Sequence, residues 1–172
     1  MAENLFDLLK SGDIDEFNTE MESFDEDLTE SDFSGVEADG AVFNEHDLSG
    51  SDFSEAVLSN SKFEGCDLSS ATFARAELTA IAFNGAVLNG TKFNGANIAS
   101  CDFTDADLSG SDFSEADLSD SDLSLALNLN QCSFDKYTVW PDADALPADF
   151  DAVYQEDLAA LNDEEAEGNI DY

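Results

Sequence analysis

The side chains of this 172-residue protein with the greatest chemical potential are carboxylates, 41 Asp and Glu against five Lys and Arg, for a net charge of −36. Paired carboxylates in a cleft do general acid–base work, clustered ones hold a cation, and a His beside Cys or Ser makes a nucleophile. None of those arrangements is written into the chain. His46 is the only histidine, too few for a His-rich metal site, and it falls at a small inward position of the repeat, where a structural role is expected. The aspartates build neither the D-x-[DN]-x-[DN]-G loop nor the G-G-x-G-x-D nonapeptide that hold calcium. Cys66, Cys101 and Cys132 are odd in number and lack CxxC spacing, which argues against a zinc site and a disulfide framework and fits a reducing compartment. A phosphate loop, a nucleophile elbow and a dinucleotide fingerprint are also missing. The expectation is a protein that is not an enzyme and uses no cofactor and no metal.

What remains is charge on a surface. A chain this acidic repels nucleic acid and anionic lipid, so neither direct nucleic-acid binding nor membrane association is expected. Its partner should be a protein with a basic surface. No apolar run approaches the roughly 18 residues of a membrane span, and the N-terminus carries acids where an export signal has bases, so a soluble, cytoplasmic protein is expected.

The elements that must position these carboxylates follow from an internal repeat. Phe33, Phe43, Phe53, Phe63, Phe73, Phe83, Phe93, Phe103 and Phe113 recur every ten residues, and Leu48, Leu58, Leu68, Leu78, Leu88, Ile98, Leu108 and Leu118 fall midway between them. The period is therefore five. Two residues before each centre lies a small side chain, as at Ala41, Ser51, Cys66, Ala86, Thr91, Cys101 and Ser111. Two residues after the centre lie eight of the ten glycines, as expected where backbone turns tightly. A five-residue apolar period matches neither the 3.6 of a helix nor the 2 of a flat strand. It fits a coil with short sides, whose large residues stack into columns while successive coils pair in parallel.

Ala106-Asp107-Leu108-Ser109-Gly110 and Ala116-Asp117-Leu118-Ser119-Asp120 resemble the A(D/N)LXX units of the pentapeptide-repeat family, and Ser51-Asp52-Phe53-Ser54-Glu55 resembles its Phe variant. The resemblance covers about residues 31 to 130, some twenty units in one register. It implies an all-β fold, a right-handed quadrilateral parallel β-helix with four pentads per coil. Residues twenty apart then stack, so Phe33, Phe53, Phe73, Phe93 and Phe113 form one column and Phe43, Phe63, Phe83 and Phe103 the opposite one. Five coils at about 4.8 Å give a shaft roughly 24 Å long.

Open solenoid ends need covers. Residues 1–25, with Leu5, Phe6, Leu8, Leu9, Ile14 and Phe17, read as an N-terminal helical cap to a β-helix over 26–130. Beyond Leu123 the pattern frays: Asn128 falls on a centre and Phe134 is one residue out of step. Residues 131–156 read as a C-terminal cap and 157–172 as an acidic tail. An open coil end also offers a surface for a homodimer.

Two surfaces are candidates for contact. One is a set of outward acidic ladders, Asp32, Asp52 and Asp112 with Asp47, Asp67 and Asp107, joined by Asp117 and Asp122. The other is a neutral belt around Ala82, Val87, Lys92 and Asn97, since no acid lies between Glu77 and Asp102. The leading expectation is a non-enzymatic interaction scaffold. The resemblance supplies an alternative, because some members of the family, notably the quinolone-resistance proteins, are DNA mimics that bind bacterial DNA gyrase or topoisomerase IV, which implies a protein that inhibits that enzyme or protects it from quinolone-type inhibitors. Residues 31–130 carry eighteen acids and three bases, a charge of −15, where a duplex of that length carries about 14.

Overall fold

The computed structural model describes residues 2–25, 27–148 and 150. Helix α1 (Ala2–Ser11) buries Leu5, Leu8 and Leu9, which helical spacing of three and four places on one face. It stops at Gly12, whose φ of +77° suits a residue without Cβ, and the amides of Gly12 and Asp13 bond back to the carbonyls of Leu9 and Leu8. Helix α2 (Ile14–Met21) follows at once and buries Phe17 and Met21, one turn apart.

From Asp32 onward the chain closes one coil every twenty residues. Strands β1 (Glu37–Asp39), β2 (Val57–Ser59), β3 (Glu77–Thr79) and β4 (Asn97–Ala99) form a parallel sheet in chain order, with Ala38, Leu58, Leu78 and Ile98 in one row. The other sides are made by single parallel bridges of the same offset, such as Asp32 with Asp52, Val42 with Lys62 and Asp47 with Asp67. These four faces make a right-handed quadrilateral parallel β-helix, as the resemblance to the pentapeptide repeats implies.

Inside, the phenylalanines stack within each column at centroid distances of 4.7 to 5.5 Å and meet the other column edge-on at 5.4 to 6.3 Å. Both are favourable arrangements of ring quadrupoles. The small positions hold polar atoms without leaving them unpaired. The hydroxyls of Ser51, Thr91, Ser111 and Ser121 donate to the carbonyls of Leu28, Leu68, Leu88 and Ile98, each twenty-three residues earlier in the preceding coil. Cys66 makes the same bond to Phe43.

The helices continue what the coils begin. Phe6 packs on Phe33 at 4.8 Å and Phe17 on Phe43 at 5.2 Å, so each aromatic column gains one more ring. Asn18 completes the hydrogen bonding: its Nδ2 donates to the Gly40 carbonyl at 2.9 Å and its Oδ1 accepts the Val42 amide at 2.8 Å. One side-chain amide thus takes the place of a missing strand at the first coil's edge.

At the other end Asn128 turns outward with φ 60° and Leu129 takes the buried place, opening a 3-10 turn over Leu129–Gln131. The one-residue shift lengthens the pairing offset, so Asp112 bridges Ser133 and Asp117 bridges Val139, which accounts for Phe134 being out of step. Pairing persists to Ala145, whose carbonyl accepts the Leu123 amide at 2.8 Å. Trp140 then packs edge-on against Phe113 with 6.1 Å between rings. Of the expected C-terminal cap, Asp149 and 151–156 lie outside the described residues, as does the whole expected tail 157–172.

Candidate functional site

The pentad places one outward side chain on each face per coil. Face one carries Asp32, Asp52, Thr72, Lys92, Asp112 and Ser133; face two carries Glu37, Val57, Glu77, Asn97, Asp117 and Val139. Face three carries Val42, Lys62, Ala82, Asp102 and Asp122, and face four Asp47, Asp67, Val87, Asp107 and Leu127.

The expected ladders are therefore interrupted. Asp32 and Asp52 are neighbours, but Thr72 and Lys92 separate them from Asp112; Asp47 and Asp67 are neighbours, but Val87 separates them from Asp107. Asp117 and Asp122 belong to two further faces. Asp122 has a partner that sequence reading passed over, Asp102, one coil below it on face three. The belt residues Ala82, Val87, Lys92 and Asn97 lie one to a face, so they ring the shaft at one level and do not form a single patch.

Each ladder aspartate also has a local task. Oδ1 of Asp32, Asp47, Asp52, Asp67, Asp102, Asp107, Asp112, Asp117 and Asp122 accepts the backbone amide two residues on, from Ser34, Ser49, Ser54, Ser69, Thr104, Ser109, Ser114, Ser119 and Ser124, at 2.8 to 3.1 Å. This is an Asx turn, and it holds the next corner. Its signature, Asp-[Phe/Leu]-[Ser/Thr], was readable ten times in the sequence, the tenth being Asp27-Leu28-Thr29, where Asp27 Oδ1 accepts the Thr29 amide. Hydrogen bonds from Ser34 and Ser109 hold the Asp32 and Asp107 carboxyls below the usual carboxylate range. Burial pushes Asp102 upward, but bonds from Thr104 and Asn84 outweigh it and the net direction is down.

The remaining reactive groups are occupied structurally. His46 is half-buried, with Nδ1 2.9 Å from the carbonyls of Phe43 and Asn44 and Nε2 3.3 Å from that of Phe24. All three cysteines are free, and burial pushes the Cys66 and Cys132 thiols up to about 12 and Cys101 to about 11, which keeps them protonated and poorly nucleophilic. Among the described residues no group of three or more His, Cys, Asp or Glu could hold a metal ion. The ion pair of Arg75 and Glu55, 3.0 Å long, joins two mostly exposed side chains at successive corners.

The family model for the pentapeptide repeat region matches residues 23–93 and again 56–138. The chain belongs to the pentapeptide-repeat family. Among curated proteins none matches it. Solved pentapeptide-repeat proteins similar to it include Rfr23 from the cyanobacterium Cyanothece 51142, at 19% identity over 72% of this chain and 97% of that one, with a TM-score of 0.47. HetL, from the cyanobacterium Nostoc sp. strain PCC 7120 and involved in heterocyst differentiation regulation, is 24% identical over 65% of this chain and 53% of its own, with a TM-score of 0.30. Trypsin-treated QnrB1, a plasmid-mediated fluoroquinolone resistance protein, is 16% identical over 79% and 94%, with a TM-score of 0.35. The family assignment rests on the repeat model and the unbroken register of five.

Proposed function

We propose that this pentapeptide-repeat protein is a non-enzymatic interaction scaffold that engages a protein with a basic surface in the cytoplasm. The observation that carries this reading is the fixing of outward carboxylates by Asx turns on all four faces, while the inward positions are filled by stacked apolar rings. A carboxylate held in place offers a basic partner its second oxygen at little further entropic cost. The acid-free ring at Ala82, Val87, Lys92 and Asn97 divides the acids into two blocks, one ending at Glu77 and one beginning at Asp102. A partner with two basic regions flanking one without bases matches that division.

The test is capture by immobilised protein in a salt series beside an unrelated control of equal charge. The scaffold reading expects proteins retained by this chain alone and released as salt rises. An identical set of proteins on the control overturns it.

A second reading is favoured by charge density. The −15 of residues 31–130 matches a duplex of the same length, about 14 charges over about 24 Å, which supports mimicry of DNA toward a type II topoisomerase. Inhibition of DNA gyrase supercoiling, or protection from a quinolone, where the acidic control is silent would favour this reading over the general scaffold. Silence across the concentration range removes it.

A further inference from the structure

Face three differs from the other faces in where its charges stand. Its outward column runs Val42, Lys62, Ala82, Asp102 and Asp122, so a base lies one coil to one side of Ala82 and an acid one coil to the other. Both charged side chains are exposed, and two coil spacings, about 9.6 Å, keep them from pairing within the chain. Lys62 has no ion pair among the described residues. Asp102 is held in place, because Thr104 donates its amide to Oδ1 and Asn84 donates Nδ2 to Oδ2 at 2.7 Å. Each of its oxygens keeps a lone pair for a further donor.

We infer that face three is a self-association surface, on which a second copy of this chain lies antiparallel about a two-fold axis through Ala82. Such an axis inverts height along the shaft and keeps lateral position, so Lys62 of each copy meets Asp102 of the other. Val42 then meets Asp122, and Ala82 meets itself. The corners beside the face follow the same rule: Glu64 falls opposite Thr104 and Asp39 opposite Ser119, so acid does not meet acid there. The other columns lack this self-complementarity. On face one every two-fold that overlaps at least five coils opposes like charges, Asp52 with Asp112, Asp32 with Asp112 or Lys92 with itself. Faces two and four carry no base in their columns. A net charge of −36 per copy opposes association at low salt, but salt screens that long-range repulsion more than it screens pairs enclosed by an interface. One face about 24 Å long is smaller than the roughly 800 Å² per partner of a standard interface, so the dimer is weak and concentration-dependent. Pairing leaves faces one, two and four of both copies open to a basic partner.

The test is sedimentation equilibrium of the full chain in about 0.5 M salt, up to about millimolar protein, where reversible dimers should form. Lys62→Asp turns both unlike pairs into like pairs and should weaken self-association at least about tenfold, and Asp102→Lys should do the same. Mixed in equal amounts, the two variants again oppose unlike charges, and dimers should return to within about threefold of the unsubstituted level. That rescue separates a charge pair from a merely structural loss. Asp102→Lys also removes the acceptor that braces Thr104; if it does not fold, Asp102→Asn, which keeps that acceptor, should by itself weaken the dimer about threefold. A chain that stays monomeric at every concentration overturns the inference. So do dimers indifferent to Lys62→Asp, which join through another surface such as a coil end. A mixture of folded variants that associates no better than either alone overturns it too, as does association unchanged by Asp102→Asn.

Discussion

Asp107 Oδ1 accepts both the backbone amide of Ser109 at 3.1 Å and its hydroxyl at 2.6 Å, so the acid that faces a partner also braces the corner that follows it. Charge and fold are coupled at one residue. Asparagine keeps the acceptor and removes the charge, whereas alanine removes both. Asp107→Ala should lower stability by about 1 kcal/mol and Asp107→Asn by much less, as read by thermal unfolding. Equal losses would show that the bond does not brace the corner.

The same residue sets a pH dependence. The folded pKa of Asp107, like that of Asp32, lies below the unfolded value of about 3.9, so its ionised form stabilises the fold above that value and the contribution is lost as pH falls through the folded pKa. The Tm of the unsubstituted protein relative to Asp107→Asn should therefore fall between about pH 5 and about pH 2. Referring each Tm to the variant cancels the relief of general repulsion that acid brings to a chain of net charge −36. A constant difference would contradict the assignment.

Asn18 stands in for a strand, and its loss should open the first coil. Asn18→Ala leaves the Gly40 carbonyl and Val42 amide without their partners and should cost about 2 kcal/mol. Amide exchange at Val42 should accelerate while that at Phe83, deep in the shaft, is unchanged. Unaltered exchange at Val42 would mean that α2 packing alone seals this end.

Corners supply a test of opposite signs. Gly85 has φ +66° and open space where a Cβ would lie, so Gly85→Ala should cost about 1 kcal/mol through backbone strain alone. Ala80 holds φ 55° despite its Cβ, and Ala80→Gly should stabilise by up to about 1 kcal/mol. Chemical denaturation of the two variants checks both signs.

The shaft was legible because one residue in five must be large and inward, a rule broken between Phe33 and Phe113 only at Ala38. Its ends were less so. The shift at Asn128 follows from a competition that the local sequence does not display, in which Leu129 gains burial by forcing a left-handed residue before it. The strand-like role of Asn18 depends on a contact 24 residues away, which no local pattern encodes. The ladder positions could be read, but not their division among faces, because Thr72, Lys92 and Val87 interrupt columns that exist only when coils stack. The bracing role of the aspartates was written in the Asp-x-Ser spacing and was overshadowed by their charge.

The scaffold proposal is tested most directly by replacing Asp32, Asp47, Asp52, Asp67, Asp107, Asp112, Asp117 and Asp122 together with Asn, which preserves the turns, and comparing capture with a variant in which as many acids of the segments outside the shaft are neutralised. Retained partners should be lost with the first variant and kept with the second. Loss with both variants alike would make the acidity a bulk property, and retention by both would place the contact elsewhere.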